Sequence, residues 1–285
     1  PAGTYLVNSL PDPIVTSGVH IKGAGQWATM LTKMDATGWL FDFGDGASDS
    51  RGSSLRHMTI FAGVTQTAGG YVRHNYYNHG VIEHVEMWGP YRGIHLTGPG
   101  DTSETTSELD DALGGQWAYS SGTRILHPLV FDLPDDGTAI EVDGGGDHFI
   151  YAPHVYGGNV TAGVTGIRVH ASFGTYFHKP VVQTCYVGMQ FEPDGNHPDA
   201  TAKTVQHVTV VQPITDTNHY GIMLNPAAAG NMVADVKFLG GWANGNAGTG
   251  IVMQKHASAS MYAIQFETCE VRGAGCDADP ARHGT

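Results

Sequence analysis

The chain has 285 residues, of which 40 are glycine and only 14% are charged. Its net charge of -13 argues against a nucleic-acid partner, and no apolar run approaches the roughly 18 residues that a membrane span needs. Abundant glycine without long runs of charge argues against disorder, so the composition predicts a folded, turn-rich, all-β chain.

Two short elements alternate along the sequence after a first predicted strand at residues 4–7. The first element reads Gly-apolar-x-apolar, and this alternation predicts a strand with one face turned inward. Its copies begin at Gly38, Gly70, Gly93, Ala139, Gly166, Gly188, Gly221 and Gly250. The second element has apolar residues at both ends and a polar residue at its third position. Its copies lie at residues 55–60, 82–87, 125–130, 150–155, 177–182, 205–210, 233–238 and 266–271.

The spacing of the first element indicates a solenoid. Successive copies begin 32, 23, 46, 27, 22, 33 and 29 residues apart. The shortest spacings fit one coil of a parallel β-helix, and the longer ones fit a coil with a loop insertion. A propeller blade needs about 40 residues, and the consensus of leucine-rich repeats is absent. Glycine then serves the coil corners, where φ is positive or backbones approach closely.

The opening residues carry a family resemblance. Residues 1–7 (PAGTYLV) and 17–25 (SGVHIKGAG) resemble the first coils of pectate-lyase-like right-handed parallel β-helices, a superfamily that includes bacteriophage tailspikes. The resemblance implies an all-β, right-handed parallel β-helix of about eight or more coils. We expect residues 1–285 to form a single domain, as a segment of a longer chain, with an insertion loop at 97–123.

The same resemblance sets the functional expectations. It implies a bacterial surface polysaccharide as partner, a homotrimer, and a location on the virion or outside the cell. The superfamily contains lyases, hydrolases, epimerases and non-catalytic binding proteins, and no catalytic signature of any one of them is present. Fold analogy alone therefore does not identify an activity.

The 16 histidines raise the question of a metal site. The third position of the second element predicts a single column with one residue per coil: His57, His84, His127, Ala152, Lys179, His207, Asp235 and Thr268. Such a column is typical of a stacked polar ladder at a turn, and a metal held along His57 and His84 is the alternative. Cys-x-x-Cys, His-Glu-x-x-His and phosphate-loop motifs are all absent. We predict no metal and no cofactor.

Three insertions interrupt the repeat, at residues 44–54, 97–123 and 193–203. Functional residues concentrate on loops that a rigid scaffold carries. The 97–123 insertion holds several carboxylates together with Trp117 and Tyr119, and we predict that these two aromatics stack on sugar rings. Solvated surface loops, and Ca²⁺ binding by the acidic residues, are the alternatives.

The outward positions of the first element predict two columns on one face. The first contains His95, Glu141, Arg168, Gln190, Met223 and Val252, and the second contains Asp42, Thr97, Asp143, His170, Glu192, Asn225 and Gln254. The middle coils therefore form a patch in which Asp143, His170 and Glu192 are the candidate catalytic residues. Glu141 and Arg168, in the neighbouring column, are the candidate substrate-binding residues.

This patch is compatible with three interpretations. Asp143 and Glu192, two coils apart, are separated by roughly 9.6 Å, which is close to the spacing of an inverting glycoside hydrolase. A polysaccharide lyase would instead use a base, with Arg168 or His170 neutralising a uronate carboxylate. An ordinary polar sheet face with compensating charges is the third interpretation.

Two functions remain open at this point. One is a tailspike-like protein that binds, and in the active case depolymerises, a bacterial surface polysaccharide. The other is a non-catalytic virion structural or adhesin module of the same fold. A trimer would also cover outward apolar residues such as Met223 and Val252, which we expect to be exposed otherwise.

Overall fold

The computed structural model describes residues 1–45, 50–75, 77–97, 121–160, 163–193 and 204–271. These ranges contain 27 β-strands and no helix, and no helix able to cross a membrane is found in them. The first nine strands are β1 (Gly3–Val7), β2 (His20–Lys22), β3 (Thr29–Lys33), β4 (Trp39–Phe43), β5 (Ser50–Arg51), β6 (Ser54–Ala62), β7 (Gly70–Asn75), β8 (Tyr77–Asn78) and β9 (Val81–Trp88). The middle nine are β10 (Arg92–Thr97), β11 (Arg124–Leu126), β12 (Leu129–Phe131), β13 (Thr138–Gly146), β14 (Phe149–Tyr151), β15 (His154–Tyr156), β16 (Thr165–Phe173), β17 (Tyr176–His178) and β18 (Val181–Gln183). The last nine are β19 (Val187–Phe191), β20 (Thr204–Val211), β21 (Ile214–Asp216), β22 (Tyr220–Leu224), β23 (Met232–Leu239), β24 (Trp242–Asn244), β25 (Thr249–Met253), β26 (Ser260–Glu267) and β27 (Glu270–Val271).

Twenty-five of these strands form one parallel ladder, and β5 and β8 pair separately. Each coil contributes to three faces. Face A is formed by β4, β7, β10, β13, β16, β19, β22 and β25. Face B is formed by β2, β11, β14 and β17 with parts of β6, β9, β20, β23 and β26. Face C is formed by β1, β3, β12, β15, β18, β21, β24 and β27 with parts of β6 and β9. The structure confirms the predicted parallel β-helix.

The register shows how one coil stacks on the next. Ile94 pairs with Val72 and Met189 pairs with Ile167, each one coil of 22 residues apart. Inward apolar side chains therefore fall on one another in columns and form a core along the axis. The predicted alignment of the first two copies was wrong, because Phe41, and not Leu40, lies in register with Val72, and Val72, and not Tyr71, lies in register with Ile94. The first copy is therefore offset by two residues from the copy at Gly93.

The glycines at the start of the face A strands are required because the backbones of neighbouring coils approach each other closely there. A Cβ on Gly188 would lie 2.5 Å from the carbonyl oxygen of Gly221, and one on Gly221 would lie 2.4 Å from that of Gly250. Neither glycine has a positive φ. The repeat therefore requires glycine here because the coils pack backbone against backbone.

The corners themselves accept many other residues in the left-handed conformation. Between faces B and C, one corner column has φ between about 46° and 68° and contains His57, His84, His127, Ala152, Lys179, Gln212, Gly240 and Thr268. His, Asn and Asp tolerate this conformation better than most non-glycine residues. The rings of His57, His84 and His127 stack, with centroids 5.4 and 5.1 Å apart. These three side chains thus form a stacked ladder at the bend.

Two members of the predicted histidine column lie elsewhere. His207 and Asp235 occupy the corner between faces A and B, where φ is also positive at Asp147 and Ala263. The reason is the register of β20, in which Val210, and not Val205, pairs with Phe177. The same apolar spacing fits both corners, so the sequence pattern did not distinguish them.

A short asparagine ladder runs inside the corner between faces C and A. The amide oxygen of Asn218 accepts from the backbone N–H of Cys185, and that of Asn246 accepts from the N–H of Asn218. The side-chain NH2 of Asn218 donates to the carbonyl of Val182. These bonds satisfy buried backbone groups where the strands turn.

Candidate functional site

The outer surface of face A carries the polar side chains of the predicted patch. Its first outward column is Asp42, Arg73, His95, Glu141, Arg168, Gln190, Met223 and Val252, in continuous register. Asp42 was predicted in the second column, and the two-residue offset of its strand corrects this. Met223, expected to be exposed, is only 8% exposed.

The first charged pair of this face joins neighbouring coils. Arg73 donates from Nε and Nη2 to the two carboxylate oxygens of Asp42, at 2.8 and 2.6 Å. The guanidinium of Arg73 also lies 5.3 Å from the ring of Trp39, and Trp39 stacks on the ring of His95. A bidentate pair beside an aromatic ring fixes the guanidinium firmly.

Glu141 is the centre of a buried charge cluster. Its carboxylate is 4% exposed, accepts a 2.6 Å hydrogen bond from Arg92 Nε, and lies 3.2 Å from His170 Nε2. Burial favours the neutral acid, but the charges of His95, His170 and Arg92 and the bond from His170 outweigh it, so the pKa of Glu141 is held well below its usual range.

His170 is placed by an irregularity in the ladder. Along β16 the register with β13 shifts between Val142 and Asp143, so that Asp143 pairs with Ala171 and His170 is an extra residue. Such bulges re-aim side chains and are frequent beside functional sites. His170 contacts the carbonyl oxygen of Glu192 and lies close enough to Asp143 for their charges to interact.

Both ring nitrogens of His170 face acceptors. Nδ1 lies 2.9 Å from the carbonyl oxygen of Glu192, while Nε2 faces Glu141. A neutral imidazole carries only one N–H, so both contacts are satisfied only by the imidazolium. Burial disfavours that charge, but the bond to Glu141 and the charges of Glu141 and Asp143 prevail, and the pKa of His170 is raised.

Asp143 is likewise held in its charged form. Burial raises the pKa of this carboxyl, but the imidazoles of His95 and His170 outweigh burial, and the pKa is lowered. His95 Nε2 lies 3.7 Å from Asp143 Oδ2, which is longer than a hydrogen bond. The pair is therefore an electrostatic contact and not a hydrogen bond.

Glu192 is bound by amides. Asn225 donates to Glu192 Oε1 at 2.9 Å, and Gln190 donates to Oε2 through its Nε2. The Oε1 atom of the same Gln190 accepts from Arg168 Nε at 3.2 Å. Gln190 thus links Arg168 to Glu192, and its amide orientation is fixed from both sides.

A groove of about 390 Å³ opens on face A at the coils that follow this cluster. Its lining combines polar and aromatic side chains, namely Thr165, Arg168, Tyr186, Gln190, Tyr220 and Gln254, with Val187, Met223, Val252 and Gly163. The ring of Tyr186 stacks on His219 and meets Tyr220 edge-on. The volume is within the range of small-molecule sites.

The structure brings Glu141, Asp143, His170 and Glu192 into one network, with Arg168 at the edge of the groove. Trp117 and Tyr119, and the 98–120 part of the predicted insertion, lie outside the described residues.

The sequence pattern missed three residues of this surface, Arg92, Val187 and Tyr220, although each directly precedes a glycine of the first element. In the coils of Arg92, Val187 and Tyr220 that position faces the outer surface, a signal that the pattern Gly-apolar-x-apolar leaves out. In the described ranges no group of three or more His, Cys, Asp or Glu side chains is arranged to hold a metal.

No protein-family model matches the chain, and neither does any curated protein. Among solved structures, the tailspike of E. coli bacteriophage HK620, as an Asp-to-Asn mutant in complex with a pentasaccharide, matches with a TM-score of 0.67 and 11% identity over 95% of this chain and 50% of the tailspike. A double mutant of that tailspike, also with the pentasaccharide, matches with a TM-score of 0.67 and 12% identity over 95% and 50%. The mannuronan C-5 epimerase A-module of Azotobacter vinelandii matches with a TM-score of 0.46 and 13% identity over 97% and 88%.

The chain is a parallel β-helix with a polar outer face and an adjoining groove. It shares this fold with phage tailspike proteins, and it spans about half the length of the tailspike chains it matches. At identities of 11–12% the likeness shows the fold alone.

Proposed function

We propose that this chain binds a bacterial surface polysaccharide along face A, as a tailspike-like protein on the virion or outside the cell. The observation that carries the proposal is the groove, which lies beside the charged network. The two tailspike structures that share this fold are complexes with a pentasaccharide. The alternative is a virion structural or adhesin module that does not cleave its ligand.

The groove has the mixed chemistry that sugars require. Tyr186 and Tyr220 offer aromatic surface to the C–H face of a pyranose ring, and their packing against His219 limits their motion. Gln190 and Arg168 offer hydrogen bonds to hydroxyl and charged groups. A few fixed polar groups on a partly apolar wall are typical of ligand sites.

Binding is tested with a panel of capsular and O-antigen polysaccharides, using surface plasmon resonance. Tyr220→Ala is expected to weaken binding about tenfold, equivalent to about 1.4 kcal/mol. Phe149→Ala is the matched control, because Phe149 is 36% exposed on face B, away from the groove and from face C. No binding across the panel, or equal losses for the two variants, would contradict the proposal.

Hydrolysis is the second candidate function, with Asp143, Glu192 and His170 as its proposed residues. It is favoured by two carboxylates near His170 whose strands are two coils apart, a separation of roughly 9.6 Å along the axis. Asp143, held ionised, suits the base that activates water. Glu192, held in place by hydrogen bonds from Gln190 and Asn225, is the proposed general acid.

Asp143→Asn combined with Glu192→Gln separates binding from cleavage. If the parent releases reducing ends from a polysaccharide, the double variant should bind that polysaccharide and release none. New ultraviolet absorbance together with reducing ends would instead indicate elimination by a lyase. Binding without any product from the parent supports the non-catalytic alternative.

The proposal includes a homotrimer. Its support is an outward column on face C that contains Leu129, His154, Val181, Ile214 and Trp242 in register, in which all but His154 are apolar. Apolar side chains aligned on an outer sheet face favour burial against a partner. Light scattering after size-exclusion chromatography tests this, and a stable monomer at micromolar concentration would refute it.

A further inference from the structure

Three arginines lie on the outer surface of face A, and two of them are paired with carboxylates. Arg73 binds Asp42 and Arg92 binds Glu141, each at 2.6 Å. Arg168 differs, because no carboxylate of the described part of the chain lies within 4 Å of its guanidinium. Its partners are neutral, the amide oxygen of Gln190 at 3.2 Å and the hydroxyl of Thr165 at 3.0 Å.

The unpaired state of Arg168 is a consequence of where the neighbouring charges point. Glu141 is directly opposite Arg168 in the register of β13 and β16. The carboxylate of Glu141, however, turns to Arg92 and His170. Arg168 turns the other way, towards Gln190, and lines the groove. The groove therefore has a positively charged wall that no carboxylate of the described chain neutralises.

The two neutral contacts orient the guanidinium. They use the Nε–H and one N–H of Nη2, which leaves both N–H groups of Nη1 and one of Nη2. The free edge between Nη1 and Nη2 matches the two oxygens of a carboxylate, which Arg binds in a bidentate manner. Thr165 and Gln190 are both buried, so they hold Arg168 in a position that it would not keep as a free surface side chain.

We propose that Arg168 binds the carboxylate of an acidic sugar, such as a uronate, whose ring lies against Tyr220 and Tyr186. This inference rests on the proposed function and names the substrate class of the same groove. With a net charge of -13, the protein as a whole repels polyanions. A single unpaired arginine therefore favours a polysaccharide whose acidic sugars are separated by neutral ones over a densely charged polymer.

The test compares oligosaccharides that differ in one group. Colanic acid, hyaluronan and oligogalacturonate fragments are each prepared as the acid and as the carboxyl-reduced form, in which the carboxylate becomes CH2OH. Isothermal titration calorimetry then measures both forms. The acid form of at least one fragment is expected to bind at least tenfold more tightly than its reduced form, the change expected when charge-assisted hydrogen bonds are lost.

Variants assign this difference to Arg168. Arg168→Gln should abolish the preference for the acid form, and Arg168→Lys should retain part of it. Arg124→Gln, which makes the same charge change at an exposed site on face B, should retain all of it. Thermal melting of each variant checks folding, and the Lys variant keeps the test informative if the Gln variant melts early.

The outcomes separate the two proposals. Two results would overturn the role of Arg168 and leave polysaccharide binding intact. In the first, the acid and reduced forms bind equally and Tyr220→Ala weakens the binding of both. In the second, a neutral polysaccharide binds and Tyr220→Ala weakens that binding. An acid preference that survives in Arg168→Gln would also overturn it. Absence of binding by every acidic and neutral probe would refute the proposed function, and this inference with it.

Discussion

Replacing Glu141 with Gln should destabilise the protein far more than replacing an ordinary surface carboxylate. The variant keeps one oxygen for Arg92 but presents an NH2 group to His170, whose Nε2–H is itself a donor. His170 then has to lose its proton, and Arg92 loses its counter-charge. Breaking a buried ion pair costs about 3–5 kcal/mol, and because Arg92 is 35% exposed we expect about 3 kcal/mol.

The loss should depend on pH in a defined window. The pKa of Glu141 is lowered by folding, so its stabilisation is present above the ordinary value of about 4.3 and is lost as pH falls towards the folded pKa. The pKa of His170 is raised, so its stabilisation is present below about 6.5 and is lost as pH rises through the folded pKa. Wild type and variant should therefore differ most between about pH 4.5 and 6.5.

Urea unfolding at pH 5.5 and 8.5 measures the free energies, and NMR titration of His170 measures its pKa in both proteins. Glu83→Gln is the control, since Glu83 pairs with Arg56 at 3.1 Å with both side chains partly exposed. We expect less than about 1 kcal/mol for that variant. A Glu141→Gln variant as stable as Glu83→Gln, or an unchanged pKa of His170, would refute the reasoning.

Three further predictions concern the scaffold. Asn218→Ala leaves the buried N–H of Cys185 without its acceptor and removes one hydrogen bond to the carbonyl of Val182. It should lower the free energy of unfolding by roughly 1–3 kcal/mol in urea, and an unchanged free energy would count against the ladder. Gly69 has a φ of +66°, and a Cβ added there would lie 2.1 Å from a carbonyl oxygen, whereas Gly18 has a φ of +74° and open space around the added Cβ. Gly69→Ala should therefore lower Tm far more than Gly18→Ala, and equal Tm values would contradict this. Burial lowers the pKa of His148 to about 4, so the unfolded chain takes up its proton first and stability should fall by up to about 1.4 kcal/mol per unit as pH drops from 6.5 to 4. His148→Phe should flatten that part of the melting profile, and an unaltered profile would exclude His148 as its cause.

The sequence predicted the coil because backbone packing constrains it directly. Glycine is needed where Gly188 and Gly221 meet the next coil, and apolar residues are needed on either side of each outward position. The corners were harder to predict. A bend at φ near 50° accepts His, Lys, Ala or Thr, so residue type alone did not tell the corner of His57 from that of His207.

The candidate patch was predicted in outline and missed in detail. Alternation along a strand predicted Asp143, His170 and Glu192 in one column, whereas the bulge puts Asp143 in register with Ala171 and leaves His170 as an extra residue beside it. Which charge each side chain faces depends on side-chain direction, which periodicity does not contain. Glu141 and Arg168 are adjacent in register and yet turn away from each other.

The two longest coils receive their additional residues at the same edge. In one, the extra segment follows β10 before β11 begins, and in the other it follows β19 before β20 begins. The strands on both sides remain in register with their neighbours, so the ladder does not depend on what lies between them. Doubling the length of a flexible loop costs only about 0.6 kcal/mol in closure entropy. Segments that leave the ladder after a face A strand can therefore change in length and sequence while the paired strands stay the same.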